Sequence, residues 1–133
     1  MKARHKLALG VLVGVLMGAA GAKAIRAQQE KTRPGYVVAE VEEVKVTDPA
    51  ALNEYIAKAP QTVASYGGHF VVRGGAVQTL EGDAPKGAIV ILGFDSVEKA
   101  HEWYDSPDYK AIRGIRQAAT KSRLLLVEGT AVQ

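Results

Sequence analysis

Apolar and polar positions alternate along residues 36–46 (YVVAEVEEVKV). Val37, Ala39 and Val41 share one face; Tyr36, Val38, Glu40 and Glu42 share the other, which predicts a β-branched strand. Thr47, Asp48 and Pro49 stop it, Asp48 suiting an N-cap and Pro49 a first helical turn. Leu52, Tyr55, Ile56, Ala59, Val63 and Tyr66 then recur at helical spacing, with a kink or break predicted at Pro60 and an end at Gly67-Gly68. Residues 69–73 (HFVVR) predict a second strand, 76–80 an extended continuation, 81–87 a turn, and 88–94 (AIVILGF) a strand apolar on both faces. Asp95 is a candidate cap for the next helix, with Glu98 reaching back as in a capping box. Val97, Ala100, His101 and Tyr104 form its inner stripe. Ser106-Pro107 repeats the cap-then-proline pattern and starts a further helical stretch to Ala119, with Tyr109, Ile112, Ile115 and Arg116 facing inward. Residues 123–128 (RLLLVE) predict the last strand, again apolar on both faces.

The order is β-α-β-β-α-β, the second helix in two pieces. That predicts an α+β, ferredoxin-like fold, an antiparallel sheet with its helices on one side. Helices so placed bury only one face of the sheet, and an antiparallel sheet can leave the other wet. Strands 88–94 and 124–127 nevertheless carry aliphatic side chains on both faces. Leaving each in water forgoes about 1.5–3 kcal/mol, and a contiguous patch of that kind marks an interface. A homodimer laid sheet to sheet is therefore expected.

Residues 1–27 read differently. A basic stub (MKARHK) precedes 16 uncharged residues, 7–22, and Ala22-Lys23-Ala24 is a small-x-small site, the order of a secretory signal. Sixteen helical residues reach about 24 Å against a hydrocarbon core of roughly 30 Å, so a cleaved signal peptide is the first reading and an uncleaved N-terminal anchor the alternative. The domain is then periplasmic or secreted, or else membrane-anchored by 7–22, with membrane contact through that segment alone. Residues 28–35 form a linker, 36–129 the domain and 130–133 a tail. The leader also accounts for the formal charge of +3: it holds five basic residues and no acid, leaving 12 basic against 14 acidic residues. No electrostatic motive for nucleic-acid binding survives. The absence of cysteine rules out disulfides, thiol nucleophiles and thiolate metal sites.

Several linked motifs carry a family resemblance: Tyr66-Gly67-Gly68-His69-Phe70-Val71-Val72-Arg73-Gly74-Gly75, Leu80-Glu81-Gly82-Asp83, Trp103-Tyr104-Asp105-Ser106-Pro107-Asp108-Tyr109, Arg116, and Val127-Glu128-Gly129. Over residues 36–129 the chain resembles the domain of unknown function 1330 family. That family belongs to the dimeric α/β-barrel superfamily, with cofactor-free monooxygenases, muconolactone isomerase and stress-responsive barrels. The resemblance implies a barrel-like dimer and no agreed reaction.

The candidate chemistry is sparse. By strand alternation His69, Val71 and Arg73 share a side; if it faces a cavity, His69 and Arg73 put polar groups into an apolar chamber. Arg73 suits a carboxylate or an enolate, or else pairs with Glu40 or Glu42 at the strand end. Arg116 on an apolar stripe needs a cavity or a partner, Asp105 and Asp108 being the structural alternatives. Catalytic candidates are Arg73 and Arg116 to stabilise negative charge, with His69, Tyr104 or Tyr109 to move a proton. Tyr36, Trp103 and Tyr109 are candidate ligand-binding residues, with a plain packing role as the alternative. His69 and His101 lack ligand spacing, so neither a metal nor a cofactor is expected. The reading is a small-molecule-binding protein that carries out cofactor-independent oxygenation or isomerisation, or a non-catalytic binding or stress-response module.

Overall fold

The computed structural model describes residues 32–43 and 48–131. The leader, the first half of the linker, residues 44–47 of the first predicted strand and its stop, and the end of the tail lie outside the described residues. Arg33–Thr130 forms one unit. Its elements are β1 (Gly35–Glu43), α1 (Pro49–Ser65), β2 (His69–Arg73), β3 (Ala88–Phe94), α2 (Val97–Asp105), α3 (Pro107–Ala119) and β4 (Thr120–Glu128). The strands form one antiparallel sheet in the order β2-β3-β1-β4, the ferredoxin-like arrangement.

Alternation in β1 fixes the two sides of the sheet. Val37 stands opposite Leu92 and Leu126, and Ala39 opposite Val90 and Leu124, all on the helix side. Val37, Leu92 and Phe94 pack there with Ala59 and Val63 of α1, Trp103 of α2, and Tyr109 and Ile112 of α3. Trp103 is the hinge pin of this core. Its ring lies 4.1 Å from that of Tyr109 and 5.5 Å from that of Phe94, centroid to centroid, and its indole N–H donates to Thr62 Oγ1 at 3.1 Å. A buried indole needs such an acceptor.

Local chemistry sets the helix boundaries. Asp48 caps α1 as expected, accepting from the Ala51 amide, and Gly67 leaves the helix at φ +73°, a conformation that favours glycine. Ser106 ends α2 and starts α3 at once: its Oγ donates to Trp103 O at 2.7 Å and accepts from the Tyr109 amide at 3.2 Å. Two expectations need correction. Of the kink or break expected at Pro60 the break is absent, since α1 is one continuous helix there. The cap of α2 is Ser96, one residue past Asp95, its hydroxyl accepting from the Lys99 amide, so no capping box with Glu98 forms.

The side of the sheet away from the helices carries Val38, Ile89, Ile91, Leu125 and Val127, the last two about half exposed at 48% and 46%. Both-faced apolarity in β3 and β4 thus matches the sequence pattern. No helix among the described residues is long and apolar enough to cross a membrane.

Candidate active site between the helices and the sheet

A cavity of about 610 Å³ lies between α1 and the helix side of the sheet, within the range of small-molecule sites. Its walls are mostly apolar, from Val37, Ala39, Val90 and Leu124 below and Leu52 and Ile56 above. The charged residues lining it are Arg73, Lys86 and Arg116 against one carboxylate, Glu42.

Its most constrained polar group is Arg116. The last turn of α3 carries it inward at 6% exposure, on the same stripe as Tyr109, which is fully buried. The guanidinium Nε donates to the Tyr109 hydroxyl at 3.4 Å, and Nη1 donates to Ser122 Oγ on β4. The Tyr109 hydroxyl in turn lies 3.0 Å from that of Tyr55 on α1. Neither Asp105 nor Asp108 reaches Arg116, and among the described side chains no carboxylate forms an ion pair with it. Burial works against its charge, but the oxygens of Tyr109 and Tyr55 outweigh that penalty and hold it above the ordinary arginine value. Burial, reinforced by Tyr109, pushes the Tyr55 phenol well above its usual range despite the pull of Arg116. At neutral pH Arg116 is a cation and Tyr55 a neutral phenol.

The other predicted residues divide between two faces. Strand alternation puts His69 and Arg73 together; a bulge between Phe70 and Val72 separates them. His69 stands opposite Gly93, where a Cβ would come within 2.9 Å of its ring, so the imidazole lies on the open face away from the cavity. The extra residue turns Arg73 to the cavity side opposite Val90, its guanidinium stacked 4.5 Å over the Phe70 ring. Arg73 pairs with neither Glu40 nor Glu42; Glu40 is held by Arg123 at 3.5 Å and by the Lys86 amide at 3.3 Å. Tyr36 also lies on the open face, opposite Gly93 and Val127. Tyr104 packs behind Trp103 beneath the Arg113 guanidinium and does not line the cavity. His101 is exposed on α2 instead of facing inward. Arg73, Arg116, Trp103 and Tyr109 therefore meet at the cavity, whereas His69, Tyr36 and Tyr104 do not. Trp103 supplies a wall only, since Thr62 occupies its N–H. Tyr55 and Ser122 were missed; a tyrosine on the inner stripe of α1 was the available signal for the former. Among the described residues no cluster of three or more metal-type ligands occurs.

The family model for Domain of unknown function (DUF1330) matches residues 34–130. The chain belongs to the DUF1330 family. No curated protein matches it. A solved protein of unknown function from Rhodopseudomonas palustris is similar at 24% identity and a TM-score of 0.59, over 80% of this chain and 92% of that one. A hypothetical Arabidopsis thaliana protein matches at 18% identity and a TM-score of 0.53, over 75% and 91% of the two chains. A dimeric ferredoxin-like protein of unknown function from Thermobifida fusca matches at 14% identity and 0.51, over 74% and 92%. These likenesses place the DUF1330 chain in the ferredoxin-like fold.

The Tyr55 environment predicts a pH dependence. The folded chain keeps a phenol proton that the unfolded chain loses near pH 10.0, so stability is unaffected below that pH and falls above it. Tyrosinate absorbance of the folded protein should show a phenol ionising later than the rest. Tyr55→Phe should remove that late step and flatten the alkaline loss of stability in urea titrations. A wild-type titration with only ordinary phenols contradicts the burial assigned to Tyr55.

Proposed function

We propose that this protein is an exported homodimer that binds a small carboxylated or aromatic molecule in the cavity of each subunit. One observation carries the ligand reading: a buried guanidinium held by phenol and hydroxyl oxygens, with no carboxylate paired to it among the described side chains, at the end of an apolar chamber. A buried charge without a counter-ion is costly, and an anionic ligand supplies one. Arg73 adds a second cation on the same side, its face already stacked on an aromatic ring. Export rests on the pattern of residues 1–27.

The same arrangement bears on turnover. Stabilised negative charge suits isomerisation or cofactor-independent oxygenation, but both need a group to move a proton. His69 and Tyr104 lie outside the cavity, the Tyr109 hydroxyl is engaged by Arg116 and Tyr55, and the Tyr55 phenol is held neutral. That supports the non-catalytic binding module over the enzyme.

The dimer rests on the open face of the sheet. Val71, Leu125 and Val127 are each about half exposed beside Val38, Ile89 and Ile91. A second copy covers such a patch at a gain of about 1.5–3 kcal/mol for each large side chain buried. The Thermobifida fusca relative, described as dimeric, supports this reading.

Calorimetry with the full chain and a series of aromatic carboxylates tests the ligand. At least one member should bind, its uncharged amide more weakly, and Arg116→Gln should weaken the acid about tenfold or more, as loss of a charge-assisted hydrogen bond requires. Equal affinity in Arg116→Gln, or no binding across the series, contradicts the assignment. Sedimentation at micromolar concentration should give a dimer for the wild type and a monomer for Leu125→Glu; a monomeric wild type contradicts the sheet-to-sheet interface.

A further inference from the structure

We infer that Tyr55, Tyr109 and Arg116 form a directed hydrogen-bond relay that holds the ionised oxygen of a phenol or an enol. The inference deepens the ligand reading above and rests on it. Either phenol can donate across their 3.0 Å contact, and the donors around Tyr109 select it as the one that does. A guanidinium only donates, so the Tyr109 oxygen accepts from Arg116 Nε at 3.4 Å. Accepting from a cation makes that hydroxyl a stronger donor, and the oxygen 3.0 Å away on Tyr55 is the acceptor within reach. Tyr55 has then spent a lone pair on Tyr109, and its own proton is free. Both phenols line the cavity, but Tyr109 is fully buried whereas Tyr55 is half-buried, so Tyr55 presents that proton to the ligand.

The relay carries the effect of a buried positive charge to a neutral donor at the cavity wall. A donor so polarised favours an oxygen anion over the neutral hydroxyl, because hydrogen bonds to ionised acceptors are roughly twice as strong. The apolar walls favour a planar ring or a short conjugated chain around that oxygen. The ligand class is therefore a weakly acidic phenol or enolisable carbonyl compound, bound as its anion, with the proton released to solvent. Other charged residues lining the cavity are Arg73 of β2 and Lys86 of the loop before β3, which favour the anion, and Glu42 at the end of β1, which opposes it.

The test uses the full chain and two probes. Para-nitrophenol reports its ionisation by visible absorbance; para-nitroanisole has the same ring and no ionisable oxygen. Bound para-nitrophenol should ionise about one pH unit or more below the free compound, the shift that one charge-assisted hydrogen bond supplies. Its affinity should rise about tenfold per pH unit between the bound and free pKa values and level off above the free one. Tyr55→Phe should abolish the shift by removing the donor, and Tyr109→Phe by interrupting the chain, with para-nitroanisole binding as the check on the cavity of each variant. Para-nitrophenol bound with an unshifted or raised pKa overturns the relay, as does a shift retained in either variant. In those cases para-nitroanisole binding leaves the cavity reading standing. Failure of both probes to bind the wild type contradicts the cavity reading and the relay together.

Discussion

A guanidinium cannot shed its charge inside a protein, so whatever surrounds Arg116 must compensate it. The fold brings it neutral oxygens: Tyr109 from the same helix stripe and Ser122 from the adjoining strand. Those contacts satisfy two donor positions and leave the charge without a carboxylate among the described side chains. The placement begins far back in the chain. Ser106 and Pro107 start α3 at a fixed residue, and Trp103, pinned to Thr62, locks the turn against the sheet. Tyr109 and Arg116 then fall on the buried side of one helix. The position at the last turn is itself favourable, since a helix C-terminus attracts cations. The same packing that makes the core thus sets the sign of charge in the cavity.

The bulge in β2 divides labour between the two sides of the sheet. Without it His69 and Arg73 would share a face; with it Arg73 joins Phe70 over the cavity, and His69 stays with Val71 on the open side. One side is therefore cationic and concave, the other apolar and suited to a flat partner. Gly93 makes room for the His69 ring on that second side, where a side chain would collide with it.

The order of elements, the Asp48 and Ser106 caps, the glycine exit from α1 and the two-faced strands were all legible in the sequence. Each depends on a local rule that tertiary contacts leave intact. The bulge was not legible, because a single extra residue in a uniformly β-prone run leaves no mark on composition yet reverses every face after it. Asp95 and Ser96 are adjacent good caps, and Ser96 is the one whose hydroxyl accepts from the Lys99 amide. Pro60 sits inside a continuous α1, whose packing through Ala59 and Val63 outweighs one lost backbone bond. Of the site, Arg116 and Tyr109 were legible as polar groups on an apolar stripe. Tyr55 was legible only as an inward tyrosine on α1, because the partner of its hydroxyl lies 54 residues away.

The central claim is that Arg116 is buried, charged and open to an anion. Its Nε–H resonance in proton–nitrogen spectra, assigned by its loss in Arg116→Lys, reports on this directly. A slowly exchanging Arg116 Nε–H at neutral pH that shifts on titration with benzoate is the predicted result. Exchange as fast as that of the surface arginines, with no response to the anion, would contradict the account.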